Sequence, residues 1–258
     1  MTDHPVLIPT SEGAVGGIVT EPSGAARAAL VLIQGIGRPA RSGINSFWTR
    51  LARALGDRGV VTLRYDCSRE GETLPIGEGV SGQLRKRDLD RRLLAEAAAW
   101  FRERVGAERL LLAGACSGSY LAIEMAGLRP NEVAATFLVV PYLRSPVDPG
   151  AGDSDRLGSG AEGDDEIDPG VLRGFQTMIA QGTVPPWIVI GENDYHMEQV
   201  TALWRLLGAH GSRVDLEVIP GMALHMLDQP DIQEQVRSRL AARVDAVLGL
   251  PAPEPARA

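Results

Sequence analysis

Three residues have side-chain types and an order along the chain that suit covalent acyl chemistry: Cys116, Asp194 and His225. Cys116 stands at the centre of Gly114-Ala115-Cys116-Ser117-Gly118, between the apolar run Leu110-Leu111-Leu112-Ala113 and Ser119-Tyr120. Glycines on both sides permit a sharp strand-to-helix turn that holds a nucleophile in a strained conformation above a sheet. The helix start favours negative charge at that point, and the Ser117 N–H points to where an oxyanion would form. A buried structural cysteine in a glycine-rich turn is the alternative reading of the same eleven residues.

Two later pieces supply the missing roles. The apolar run Trp187–Ile190 leads through Gly191-Glu192-Asn193 to Asp194, and Val214–Ile219 leads through Pro220-Gly221-Met222-Ala223-Leu224 to His225. The order is nucleophile, acid, histidine, with separations of 78 and 31 residues. In a doubly wound sheet the loops that follow strands converge at one edge, where such distant residues meet. Ser117 is a rival nucleophile one place late, and Glu192 and Asp148 stay open as rival acids. His196 suits the pocket lining or the acid loop better than the base, because Asp194 would have to orient a side chain from its own turn. Gln34, Gly35, Tyr120 and Tyr195 join His196 as candidate pocket residues. His4 and His210 read as solvated, and Cys67 as a small apolar filler at the cleft rim. No histidine or cysteine pair has metal-ligand spacing, so neither a metal nor a cofactor is expected.

The elements that must position these residues alternate along the chain. Near-continuous β-rich runs cover Ala28–Ile33, Val60–Tyr65, Arg109–Leu112, Val133–Val140, Trp187–Ile190 and Val214–Ile219. Between them, i, i+3, i+4 apolar spacing predicts helices over Phe47–Leu55, Leu84–Val105, Tyr120–Leu128, Val200–Leu207 and Ile232–Leu248. Repeated βα units predict a mostly parallel sheet covered by helices on both faces. Val6–Pro9 and Ala14–Thr20 flank the turn signal Ser11-Glu12-Gly13 and predict an antiparallel edge hairpin. Asp168-Pro169 reads as the N-cap and first position of a further helix reaching Ile179.

The 258 residues are 44% apolar and 23% charged, enough for one domain, expected over 1–250 with a disordered proline-rich tail at 251–258. The net charge is −7, which argues against nucleic acid and anionic lipid. Residues 145–170 contain eight acids, six glycines and three prolines against the single base Arg156, so the acidity is local. That stretch cannot bury much apolar surface and predicts a mobile loop or cap, an insertion spanning about 142–185, which would disfavour anionic ligands at the cleft mouth. Two cysteines are too few for a disulfide framework, and no stretch approaches the roughly 18 apolar residues of a membrane span. The expectation is a cytoplasmic protein with no leader, no membrane partner and a small-molecule acyl substrate; a homodimer stays open.

With these residues in view, the sequence resembles the α/β-hydrolase superfamily over roughly Ala28 to Leu248. The family's Gly-x-Ser-x-Gly elbow here reads Gly114-Ala115-Cys116-Ser117-Gly118, similar to its cysteine-bearing branch, of which dienelactone hydrolases are the best-known members. Its His-Gly oxyanion loop after the third strand reads Gln34-Gly35-Ile36-Gly37, so the resemblance implies the Ile36 N–H as second oxyanion donor, with Gln34 departing from the usual histidine. The segment Phe47–Asp66 is similar to the helix and fourth strand of the family, where Asp66 takes a structural position. The resemblance implies a short cap after the sixth strand. A thiol of pKa roughly 8.5 leaves a tetrahedral intermediate more easily than an alcohol does, so a cysteine nucleophile suits thioesters, enol esters and lactones better than simple alkyl esters. Acyl transfer, cyclisation and acyloxy elimination in specialised metabolism use the same intermediate or base. The other class left open is a non-catalytic binding protein on this fold.

Overall fold

A computed structural model describes residues 1–35, 41–66, 83–143, 167–181, 184–209, 211, 213–223 and 229–250. Eight strands form one sheet: β1 (Thr2–Thr10), β2 (Gly13–Glu21), β3 (Ala28–Ile33), β4 (Val60–Tyr65), β5 (Leu110–Cys116), β6 (Val133–Pro141), β7 (Trp187–Asn193) and β8 (Asp215–Ala223). Their order is β1-β2-β4-β3-β5-β6-β7-β8. The hairpin β1–β2 is antiparallel and joins β4 antiparallel, and every pairing from β4 to β8 is parallel.

Six helices cover the sheet: α1 (Phe47–Gly56), α2 (Gln83–Val105), α3 (Ser117–Leu128), α4 (Pro169–Ala180), α5 (Met197–Ala209) and α6 (Pro230–Val247). The two-residue strand period divides the core into two layers. Ala29, Val31 and Ile33 of β3 face the layer formed with α2, α3, α4 and α5, while Leu30 and Leu32 face the layer formed with α1 and α6. The near-continuous apolar runs are therefore explained by burial on both faces. Among the described residues no helix is long and apolar enough to cross a membrane.

Three departures from the sequence reading bear on the site. α3 begins at Ser117, three residues before the apolar periodicity does, because the strand turns into the helix at Cys116 with no intervening loop. β7 and β8 run on through Gly191-Glu192-Asn193 and Pro220-Gly221-Met222-Ala223 to pair Asn193 with Ala223, so glycine and proline did not end these strands. Within the expected insertion 142–185, α4 is a core helix. Asp168 caps it by accepting from the Gly170 and Val171 N–H groups at 2.6 and 3.3 Å, and Val171, Phe175 and Met178 bury its i, i+4, i+7 face. It meets α3 so closely that a Cβ on Gly127 would stand 2.6 Å from the Gly174 Cα. The remainder, 144–166, and the expected tail 251–258 lie outside the described residues, as does Cys67.

Candidate active site

Cys116 closes β5 with φ 52° and ψ −123°, a conformation that costs a non-glycine residue about 1–3 kcal/mol. Backbone packing imposes it. A Cβ on Gly114 would lie 2.4 Å from the Gly118 carbonyl oxygen, and one on Gly118 would lie 2.3 Å from that of Ile33. A Cβ on Gly35 would meet the Ala115 oxygen at 2.7 Å and the Cys116 Cβ at 3.0 Å. The exit of β3, the end of β5 and the first turn of α3 thus touch main chain to main chain, and only glycine fits at the three contacts. Ser119 Oγ donates to the Gly114 carbonyl at 2.7 Å, and the Tyr142 N–H donates to the Cys116 carbonyl at 3.2 Å. Val140, two residues before Tyr142, also has a left-handed φ of 45°, unusual for a β-branched residue.

Cys116 is a partly exposed free thiol, and its side chain makes no capping bond to α3. Ser117 forms the first residue of that helix, its Oγ 3.1 Å from the position a Gly35 Cβ would take. Gln34 is nearly buried and its Oε1 accepts from the Trp48 indole at 2.6 Å, which ties the β3 exit to α1. Ile36, the expected second oxyanion donor, and His225 both lie outside the described residues.

Asp194 follows β7 directly and is 5% exposed. Its Oδ1 accepts from the His196 N–H at 3.0 Å, its own N–H donates to the Gly191 carbonyl at 3.2 Å, and its carbonyl accepts from the Met197 N–H at 3.0 Å. This is an aspartate turn closed by its own side chain. The turn sits against β8: a Cβ on Gly191 would fall 2.2 Å from the Met222 carbonyl oxygen. The rival acid Glu192 is exposed and accepts from the Gly221 N–H at 3.3 Å, so it braces β8. Asp148 lies outside the described residues. Gln229, at the start of α6, accepts from the Ala223 N–H at 3.0 Å and donates to the Gly221 carbonyl at 2.9 Å. It draws together the two ends of the segment that contains His225.

Tyr195 directly follows Asp194. Burial, followed by the negative charges of Cys116 and Asp194 and by Tyr142, pushes its hydroxyl up to about 12. His196 is 4% exposed, with its ring 4.0 Å from that of Tyr195 and 5.3 Å from that of Tyr142. Tyr142 was not among the expected site residues; the signal for it is Pro141, which ends the long apolar run of β6 and leaves the next residue at the sheet edge. Tyr120 is buried, its hydroxyl 3.5 Å from where a Gly170 Cβ would be, so it faces the start of α4. Among the described residues no three His, Cys, Asp or Glu side chains group closely enough to hold a metal ion.

Neither a family model nor a curated protein matches the sequence. Solved structures do. The chain is similar to a highly thermostable carboxyl esterase from Bacillus coagulans, with 15% identity, 96% of this chain and 99% of that chain covered, and a TM-score of 0.70. It is also similar to esterase 2 of Thermogutta terrifontis, with 17% identity, coverage of 98% and 96%, and a TM-score of 0.67. A dienelactone hydrolase from Anabaena variabilis aligns at 16% identity, coverage of 93% and 95%, and a TM-score of 0.64. With the strand order above, these likenesses define the fold: the chain has the α/β-hydrolase fold.

Proposed function

We propose that the protein is a cysteine-dependent acyl hydrolase acting on thioesters, enol esters or lactones through Cys116, His225 and Asp194. One observation carries the reading: a free, partly exposed cysteine is held at φ 52° at the junction of β5 and α3. Backbone strain of that kind at a partly exposed nucleophilic side chain is the signature of a site where geometry is maintained against a folding cost. The esterases and the dienelactone hydrolase of the same fold support the class of reaction. For the histidine, the support is the register that sets Ala223, two residues before His225, opposite Asn193, one residue before Asp194.

In the reaction, His225 takes the Cys116 proton as Sγ attacks the carbonyl carbon, and a C–S bond forms while the carbonyl π electrons move to oxygen. The N–H groups of Ser117 and Ile36 receive the oxyanion. Collapse breaks the bond to the leaving group, which takes the proton from His225. Water, deprotonated by His225, then attacks the thioester; the C–S bond breaks and the thiol is restored with release of a carboxylic acid. Asp194 keeps His225 in the useful tautomer. A thiolate departs from the first intermediate more easily than an alkoxide, so simple alkyl esters revert and activated carbonyls go forward.

Intact-protein mass spectrometry tests the reading. Incubation with a panel of thioesters and lactones should add one acyl mass, lost in Cys116→Ala, and the adduct should turn over to free acid. An adduct that survives in Cys116→Ala, or turnover undiminished in that variant, overturns covalent catalysis at Cys116. An adduct resolved only by an added amine or alcohol assigns acyl transfer in place of hydrolysis.

A further inference from the structure

We propose that Tyr142 is a positioning residue for the reaction at Cys116: its main chain holds the nucleophile turn and its ring packs on the turn of the acid, so it sets how the two turns stand relative to each other. The proposal rests on the Cys116 reading above.

The nucleophile ends β5, the acid follows β7, and β6 is the strand between them. The β5–β6 ladder slips by one residue at the nucleophile. Ala115 is opposite Val139 but Cys116 is opposite Pro141, so Val140 is an extra residue in β6. Val140 takes up the slip with its left-handed φ of 45°, and its side chain, 1% exposed, is held there by the core. In a parallel ladder the carbonyl of a residue accepts from the N–H one place beyond its partner. With Val140 opposite Cys116 that place would fall to Pro141, which has no N–H. The bulge gives it to Tyr142, whose N–H donates to the Cys116 carbonyl at 3.2 Å. The buried Ser119 Oγ closes the same corner, donating to the Gly114 carbonyl at 2.7 Å and reaching that of Val139 at 3.4 Å.

From this anchor the side chain extends to the acid. The Tyr142 ring meets the His196 ring edge-on, with centroids 5.3 Å apart and planes at 69°. His196 is 4% exposed, and its N–H donates to the Asp194 carboxylate at 3.0 Å. The residue after Tyr142 is held as well: Leu143 is fully buried, and its carbonyl accepts the Asp168 N–H at 2.9 Å where α4 begins. One residue thus meets both turns, by a hydrogen bond on one side and by ring packing on the other, while β6 and α4 fix its main chain from behind. Removal of the ring leaves the bond to Cys116 in place and takes away the packing on His196, so its effect should reach the chemistry through Asp194.

The test is turnover of an activated thioester by the wild type, Tyr142→Ala, Asp194→Asn and the double variant. Tyr142→Ala should lower kcat about 10- to 100-fold, the cost of a small misplacement of catalytic groups. KM should stay within about twofold, because a residue that orients those groups does not bind substrate. Tyr142→Phe keeps the ring and the main chain and should restore turnover. In the Asp194→Asn background, Tyr142→Ala should cost less than about threefold, since residues that act as a unit are not additive. Equal losses in the two backgrounds overturn the proposal, as does an unchanged kcat in Tyr142→Ala or full turnover in Asp194→Asn. A raised KM with kcat unchanged overturns it in favour of substrate contact. Should Tyr142→Ala fail to fold, Tyr142→Leu, which keeps the bulk and lacks the ring, goes through the same cycle under the same criteria. Cys116→Ala is the control. A wild type inactive on the whole thioester and lactone panel, or undiminished turnover in Cys116→Ala, removes the Cys116 reading and the proposal together. Loss in Cys116→Ala beside an unchanged Tyr142→Ala removes the positioning role alone.

Discussion

Asp66 and Asp194 occupy matching places in the sheet and are held in different ways. Each directly follows a parallel strand, β4 or β7, and each is buried, at 0% and 5% exposure. Asp66 accepts the Arg41 N–H at 2.9 Å on one oxygen and the Arg41 guanidinium on the other, and donates its own N–H to the Gly16 carbonyl at 2.9 Å. A full positive charge meets its full negative charge, which makes it a clamp between the start of the Arg41 segment, the end of β4 and β2. The bonds described at Asp194 come from its own turn, with the His196 N–H on its carboxylate. An N–H dipole fixes the position of a carboxylate without cancelling its charge, which suits the role proposed for Asp194. A buried acid after a strand is therefore ambiguous until its partners are known, and at Asp66 an arginine makes it structural.

The largest expected effect separates the two by chemistry. In Asp194→Asn the side-chain oxygen still accepts from the His196 N–H, so the turn should survive and the melting temperature should move by no more than about 2 °C. Turnover of an activated thioester should fall roughly 10³-fold or more, because an amide no longer holds His225 in the useful tautomer. Steady-state kinetics paired with a thermal melt check this. Near-wild-type turnover would remove Asp194 from the site and reopen Glu192 or Asp148 as the acid.

The second effect separates them by stability. Asp66→Ala leaves the Arg41 guanidinium, about 20% exposed, without its carboxylate. Breaking a buried pair costs about 3–5 kcal/mol, and partial solvation of Arg41 reduces that to about 2–3 kcal/mol. Urea unfolding should show the loss, while turnover per folded molecule changes far less than in Asp194→Asn. The reverse result, a stable but inactive Asp66→Ala, would mean that the clamp shapes the oxyanion loop directly.

How much of this was legible in the sequence follows from the range of the interactions involved. The Cys116 turn was readable because its constraint is local: glycines at 114 and 118 are spaced for a strand-to-helix reversal, and the contact between them is inside the motif. The Asp168 cap was readable for the same reason. The Asp66–Arg41 pair spans 25 residues, from a strand end to a polar loop, and no spacing rule connects the two. The extensions of β7 and β8 were missed because Gly191 and Pro220 carry turn signals, yet Gly191 is a glycine for the sake of the Met222 carbonyl beside it. The helix from Asp168 to Ile179 was itself readable from its cap, but that it packs as a core helix, with Gly174 opposite Gly127, is a signal that only the partner helix makes readable. Tyr195 and His196 stood out as neighbours of the acid, whereas Tyr142 enters through the tertiary contact with His196.

A third buried aspartate sharpens the comparison at its smallest scale. Asp245, near the end of α6, is 4% exposed, and the Arg58 guanidinium stands 3.5 Å from its Oδ2, too far for the contact that Asp66 makes with Arg41. Its Oδ1 finds no hydrogen-bond partner among the described residues. Burial pushes its carboxyl above the ordinary 3.8, and the charge of Arg58 offsets only part of that. The folded protein then binds this proton more tightly than the unfolded chain does. Stability falls as pH rises from the unfolded value through the folded one and stays lower above it. Asp245→Asn removes the ionisation, so the variant should melt about 1–3 °C higher than wild type at neutral pH. As pH falls below the unfolded value of 3.8, both states take up the proton and the gap should close. Melting curves of both proteins across that interval decide the matter. A gap that keeps its size at low pH would trace the gain to packing or amide hydrogen bonding, and a destabilised variant at neutral pH would place Asp245 with Asp66, as an acid whose arginine outweighs the cost of its burial.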